Sequence, residues 1–168
     1  TDRTSVSMTR PRILQIGKLL PATEQALAAQ YDVHLLAGEA DPKAYLAREG
    51  ANFVGVATSA GVGIDGATIA ALPNLKVISS FGVGFDKVDV AAARARGIPV
   101  GYTPDVLNDC VADTAFGLVI DAGRRFTDSD RYLRRGDWLK APYPLATRIS
   151  GKKLGIVGLG RIGRVVAR

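Results

Sequence analysis

The sequence predicts an α/β fold in which a parallel sheet carries helices on its faces and a second domain opens near the end. Three observations predict it. Short β-type runs alternate with stretches of helical composition. Glycine-rich loops stand where strands end and helices begin. A strand-like run close to the end passes directly into Gly158-x-Gly160-x-x-Gly163.

The β-type runs are Ile13–Ile16, Val33–Leu36, Phe53–Ala57, Val77–Ser80 and Pro99–Gly101. The segments between them have the length and composition of crossover helices, which makes the sheet parallel. Asp41-Pro42 supplies a side-chain cap followed by a preset φ, and Gly50 stands where a left-handed C′ residue belongs. The same device recurs from Asp89 to Gly97. From Asn108, apolar residues from Val111 through Ala115, Phe116 and Val119 to Phe126 fall at helical spacing, which predicts one long helix capped by Asn108 or Asp109. Asp113 and Asp121 read as its polar side. The stretch from Arg134 through Pro142 and Pro144 to Ser150 lacks periodicity and reads as an extended arm. Leu154–Val157 then reads as a buried strand, with a helix opening over Arg161–Arg168.

Composition narrows the classes. The chain has 168 residues, 47% apolar and 23% charged, as in ordinary globular proteins. No run approaches the roughly 18 apolar residues of a membrane helix. Thr1 to Arg12 is a polar, basic lead-in without the apolar core of a secretory signal. With Cys110 as the only cysteine, no intrachain disulfide is possible and a cytoplasmic setting fits. The net charge of +6 arises in the tail beyond Arg124 and runs into a phosphate-binding turn, so no nucleic-acid partner is expected.

Three glycine loops carry the chemistry. In Gly158-x-Gly160-x-x-Gly163 one glycine turns the chain, the next admits a pyrophosphate against bare backbone, and the third lets helix pack on strand. The other account is a tight strand-to-helix turn that happens to be rich in glycine. Ser59-Ala60-Gly61-Val62-Gly63-Ile64-Asp65 and Phe81-Gly82-Val83-Gly84-Phe85-Asp86 share the form Gly-Val-Gly-x-Asp. Such loops leave backbone N–H groups that hold a small anion such as a carboxylate. For the first loop, glycine needed for φ and aspartate serving as a helix cap is an equal account. His34 reads as a structural strand residue, Cys110 as a small buried hydrophobe, and Trp138 as an interface or packing anchor. No metal is expected.

The run from Leu75 through Phe81-Gly-Val-Gly-Phe-Asp86, Ala95-Arg-Gly-Ile-Pro-Val100, Thr103-Pro-Asp-Val-Leu107 and Val111-Ala-Asp113, with Arg135-Gly-Asp-Trp138 and the Gly158–Gly163 turn in register, resembles the D-2-hydroxyacid dehydrogenase family over about residues 50–168. Within it, the Pro142–Ser150 arm and the glycine turn look most like glyoxylate/hydroxypyruvate reductases and hydroxyphenylpyruvate reductases. The resemblance implies a flavodoxin-like substrate-binding domain over residues 1–102. Residues 103–168 would then be a linker helix, an arm and the start of a Rossmann cofactor domain. It implies that the amides of Val83 and Gly84 hold a substrate carboxylate and that Ser59, Ala60 and Gly61 line the same pocket. Leu107 and Val111 would lie against a nicotinamide, with Gly158, Gly160, Arg161, Ile162 and Gly163 at the pyrophosphate.

The activity so implied is hydride transfer from the reduced form of NADP or NAD to a small 2-oxo acid, giving the D-2-hydroxy acid. The arginine, glutamate and histidine that complete it are expected after Arg168, so this chain holds no catalytic side chain and reads as part of a longer polypeptide. Two other readings compete: a corepressor-like module that senses NAD(H), and a relative acting on formate, phosphite or phosphoglycerate. Phe81 and Phe85, uncharged beside the second loop, favour a small carboxylate over a phosphorus oxyanion. The long helix, Trp138 and the arm predict a homodimer.

Overall fold

A computed structural model describes residues 10–168. The chain divides into two compact units, one ending at Pro104 and one running from Asp105 to Arg168. The lead-in falls mostly on residues 1–9, outside the described residues, and its last residue belongs instead to the first strand.

In the first unit, β1 (Arg12–Gln15), α1 (Pro21–Gln30), β2 (Asp32–Leu35), α2 (Pro42–Glu49), β3 (Gly55–Ser59), α3 (Gly66–Ala70), β4 (Val77–Phe81), α4 (Val90–Ala95) and β5 (Val100–Gly101) follow one another. All strands are parallel, in the order β2-β1-β3-β4-β5. This is the doubly wound order of flavodoxin-like sheets, which reverses direction between β1 and β3. Leu14, Val56 and Ile78 stand side by side in the ladder and are at most 3% exposed. Around them Phe53, Ile69, Leu72 and Ala93 complete the core, each large apolar side chain contributing about 1.5–3 kcal/mol by burial. Burial alternates along β4, and its other face leaves Val77 and Phe81 nearly half exposed.

Local signals set the helices. Asp41 accepts from the Lys43 and Ala44 amides at 3.1 and 3.0 Å, and Asp65 and Asp89 cap α3 and α4 through Thr68 and Ala92. Gly97 takes the left-handed conformation expected after α4. Arg96 donates to the Leu72 and Pro73 carbonyls at 2.9 and 2.8 Å and to that of Ile69, fastening the turn that follows α3.

Gly50 corrects one expectation. Its φ is −56°, in the right-handed region, because α2 runs straight into a short 3-10 turn over Gly50–Asn52. The glycine is required by space: a Cβ there would lie 2.0 Å from the Ala71 carbonyl oxygen.

The second unit contains α5 (Asn108–Arg124), α6 (Phe126–Arg134) and α7 (Arg161–Val166). The long helix therefore ends before Phe126, broken by Arg125 at φ 56°. Asp121 explains the restart, since its carboxylate accepts from the Thr127 amide at 2.8 Å and hydroxyl at 2.7 Å. It caps α6 and is not simply the polar side of α5. Neither Asn108 nor Asp109 caps α5; Leu107 occupies that position without a side-chain bond, and Asn108 donates to Asp105 at 2.9 Å. Leu154–Val157 forms no strand, because a strand exists only by pairing and the second unit holds no other among the described residues. Among those residues no helix is long and apolar enough to cross a membrane.

Alanine normally exceeds glycine in helical backbone by roughly 0.5–1 kcal/mol. At Gly50 the added methyl meets a carbonyl, so Gly50→Ala is expected to cost about 1–3 kcal/mol in urea unfolding. An unchanged or raised midpoint would show that the Ala71 turn yields freely.

Candidate functional site

Parallel strands deliver their βα loops to one edge, and in open α/β sheets ligands bind there, at the reversal of strand order. In the first unit these loops interlock. Gly17, at φ 78°, passes so close to Val62 that a Cβ would lie 2.7 Å from it. The Ala60 amide donates to the Phe81 carbonyl at 2.9 Å. Lys87 Nζ donates to the Gly61 carbonyl at 2.6 Å. Across the β3 and β4 loops the Ile64 amide donates to the Lys87 carbonyl at 3.0 Å, and the Ile64 carbonyl accepts from the Asp89 amide at 2.9 Å. The buried Thr58 hydroxyl donates to the Gly63 carbonyl at 2.8 Å.

The two Gly-Val-Gly-x-Asp loops use these bonds differently. In the first, Val62 and Gly63 both donate to the Ser59 carbonyl, at 3.0 and 2.8 Å. The chain turns on itself, and of Ala60, Gly61, Val62 and Gly63 only Gly61 keeps an amide without an acceptor among the described residues. Its aspartate, Asp65, caps α3. In the second loop, the consecutive amides of Val83 and Gly84, and after them those of Phe85 and Asp86, donate to nothing among the described residues. Asp86 caps no helix there, that task falling to Asp89. Phe81 and Phe85 are 45% and 44% exposed, and Phe85 meets Tyr102 edge-on at 5.2 Å.

Sequence reasoning missed the residues that hold these loops. Glu24 of α1 accepts from the Leu19 amide at 2.9 Å and the buried Gln15 side chain at 2.7 Å, so it fixes the turn after β1. Those two bonds, the Leu19 amide first, hold its carboxyl below the ordinary 4.5, helped by Lys18. Thr103 lies in a motif quoted above but carries no distinguishing signal of its own, and Lys87 reads as a surface lysine.

In the second unit Leu107 and Val111 are one turn apart at the start of α5, joined by a 3.0 Å backbone bond. Gly158 has φ 93°, and Gly160 precedes α7. A Cβ on Gly163 would lie 2.1 Å from the Gly158 carbonyl oxygen, so the first and third glycines close on one another. The turn is bare backbone, with Arg161 and Ile162 opening α7 and the Arg161 guanidinium drawn 3.3 Å from Asp105. Such a turn fits a pyrophosphate, which needs amide donors and no intervening side chain.

The remaining candidates separate. His34 stacks on Tyr45 at 4.3 Å and lies 2.9 Å from Glu39, a structural residue as expected. Cys110 is exposed, correcting its reading as a buried hydrophobe: it sits in the first turn of α5 on the side away from the buried Ala112. Among the described residues no cluster of histidine, cysteine or acidic side chains is placed to hold a metal.

Residues 13–159 match the family described as D-isomer specific 2-hydroxyacid dehydrogenase, catalytic domain. The chain is 41% identical over 155 residues to a hydroxyphenylpyruvate reductase of Plectranthus scutellarioides, covering 92% of this chain and 50% of that protein. It is 47% identical over 113 residues to a glyoxylate/hydroxypyruvate reductase of Arabidopsis thaliana, covering 67% and 36%. Among solved structures, a 2-hydroxyacid dehydrogenase from Ketogulonicigenium vulgare superposes with a TM-score of 0.89 at 42% identity, covering 95% of this chain and 51% of that one. An NADPH-dependent glyoxylate/hydroxypyruvate reductase from Sinorhizobium meliloti, in complex with NADP and malonate, gives 0.79 at 35% identity, covering 94% and 49%. The chain spans about half the length, or less, of these relatives.

Glu24 makes the acid limb of stability testable. A carboxyl whose value is lowered by folding adds stability above its unfolded value of about 4.5, and that stability is lost as pH falls through the lower folded value. Glu24→Gln is therefore expected to lower the melting temperature at pH 7, with the gap to the parent narrowing as pH falls below the unfolded value of about 4.5. A gap that is the same above and below that value would mean that the charge is not what holds the turn.

Proposed function

We propose, because this chain belongs to the D-isomer-specific 2-hydroxyacid dehydrogenase family, that it forms the substrate-binding half and the opening of the cofactor half of an NAD(P)-dependent oxidoreductase. The complete enzyme reduces a small 2-oxo acid such as glyoxylate or hydroxypyruvate to the D-2-hydroxy acid. The division falls near residue 102. The observation that carries the reading is the pair of unengaged amides at Val83 and Gly84, presented at the reversing edge of a parallel sheet.

Two adjacent N–H groups hold a carboxylate through charge-assisted bonds without a cationic partner. The exposed rings of Phe81 and Phe85 give such a site apolar walls, which raises the cost of leaving a doubly charged phosphorus oxyanion unpaired. Ser59, Ala60 and Gly61 line the same edge, with the Gly61 amide as a further donor. In the second unit, Gly158, Gly160 and Gly163 clear the space for a pyrophosphate, the amides of Arg161 and Ile162 face it, and Leu107 and Val111 offer an apolar surface to the nicotinamide. When bound, the nucleotide supplies the hydride. The arginine, glutamate and histidine that polarise the carbonyl and move the proton are assigned to the remaining half of the polypeptide.

NADP is favoured over NAD by the NADPH-dependent relative. A homodimer is supported by the exposed Phe116, Leu118, Phe126, Trp138 and Leu145 of the second unit, a larger apolar display than solvent favours. The exposed Cys110 thiol suits a reducing, cytoplasmic setting.

The direct test is NADPH oxidation by the complete enzyme with glyoxylate and hydroxypyruvate; no turnover with any 2-oxo acid would sink the reading. Gly82→Ala adds a Cβ at φ 126°, only 2.8 Å from Ala60 Cβ. It is expected to raise KM for the oxo acid by about tenfold or more while leaving the Kd for NADPH unchanged. Gly163→Ala should do the reverse, weakening NADPH by a similar factor, since its Cβ displaces the Gly158 carbonyl. Equal effects of both changes on both ligands would separate neither site.

A further inference from the structure

We propose that Thr103 is a positioning residue that presents the Val83 and Gly84 amides, acting through Gly82 and touching neither substrate nor cofactor. The inference rests on the functional reading above.

Gly82 is fastened at both of its backbone groups by this one residue. Its N–H donates to the Thr103 hydroxyl at 2.9 Å, and its carbonyl accepts from the Thr103 amide at 3.0 Å. Gly82 stands at φ 126°, a conformation open to glycine and to few other residues, so its peptide planes have no steric preference of their own to hold them. Without a partner, a glycine there is the hinge of the loop. With both groups bonded, the plane leading into Val83 is set.

The sequence prepares Thr103 for the task. It follows β5, which pairs with β4 through Ile78 and Val100, so the ladder carries it alongside the end of β4. Pro104 comes next, and a residue before proline is confined to extended backbone, which holds the amide and side chain of Thr103 in a fixed relation. A β-branched side chain adds one further constraint, at χ1. Neighbouring contacts close the frame: the Phe81 carbonyl is taken by Ala60 at 2.9 Å, and the Phe85 carbonyl by Val88 at 2.9 Å. Between these two fastened carbonyls the amides of Val83, Gly84 and Phe85 stay open.

The bond also decides which amides a ligand can use. Because the Gly82 N–H is spent on Thr103, the run of open donors begins at Val83, which fixes where along the loop a carboxylate meets its first amide. Removing the hydroxyl frees a further donor, ahead of Val83, on a loosened hinge, so both the strength and the geometry of anion binding should change.

In the complete enzyme, Thr103→Val is expected to raise KM for glyoxylate about tenfold with kcat changed by less than about threefold. The Kd for NADPH should be unchanged. Thr103→Ser keeps the hydroxyl and should stay within about threefold of the parent in KM. Hydrogen exchange of the segment containing Phe81–Phe85 should accelerate at least about tenfold in the valine variant and little in the serine variant. Faster exchange with an unaltered KM would overturn the proposal, as would unaltered exchange, or a serine variant as impaired as the valine one. Should the valine variant fail to fold, the serine variant and the parent's own slow exchange at Gly82 still decide it. If the parent reduces no 2-oxo acid, the functional reading fails separately, and exchange alone tells whether the clamp exists.

Discussion

Parallel pairing brings every strand of the first unit to its end at one edge, and the loops that leave it crowd the same small space. Each loop arrives with backbone donors and acceptors that need partners, and each takes most of them from its neighbours. Ala60 serves Phe81, Lys87 serves Gly61 and Ile64, and Thr103 serves Gly82. The glycines are conditions of this crowding. At Gly17, Gly63 and Gly82 a side chain would strike the adjoining loop. What the sheet leaves unbonded at that edge is the Gly61 amide and the run of amides that begins at Val83, and these are what a ligand finds.

Two loops of the same written form show how far context decides. Ser59 to Asp65 turns back on itself, folding two amides onto one carbonyl and giving its aspartate to a helix cap. Phe81 to Asp86 is held from outside, so its own amides remain available. Identical spacing of glycine and aspartate leads to a closed turn in one place and an open one in the other, and the difference lies in residues tens of positions away.

The parts legible in sequence were those governed by periodicity and local caps. The five strands appear within a residue or two of their apolar runs, because alternation of buried runs and crossovers is a local property. The caps at Asp41 and Asp89 and the turn at Gly97 are equally local. What sequence did not show was set by contacts at a distance. Gly50 is glycine because of Ala71, Arg125 breaks a helix because Asp121 caps the next one, and Leu154–Val157 needs a ladder to become a strand. The site divides the same way. Val83, Gly84 and the glycine turn could be pointed to from motifs, whereas Thr103, Lys87 and Glu24 gain their roles only from what lies opposite them.

The shape of the sheet margins carries one more consequence. On one side β5 contributes just two residues, Val100 and Gly101, and on the other β2 presents Asp32 and His34 along its four. A strand that short offers almost no backbone for a neighbouring molecule to copy, and charged or polar side chains along a margin discourage copying where length permits it. Growth of the sheet from molecule to molecule is thereby suppressed at both ends. Copies of this unit that meet in solution must do so through side-chain surfaces, which can be tuned one residue at a time, and not through the indiscriminate adhesion of main chain to main chain.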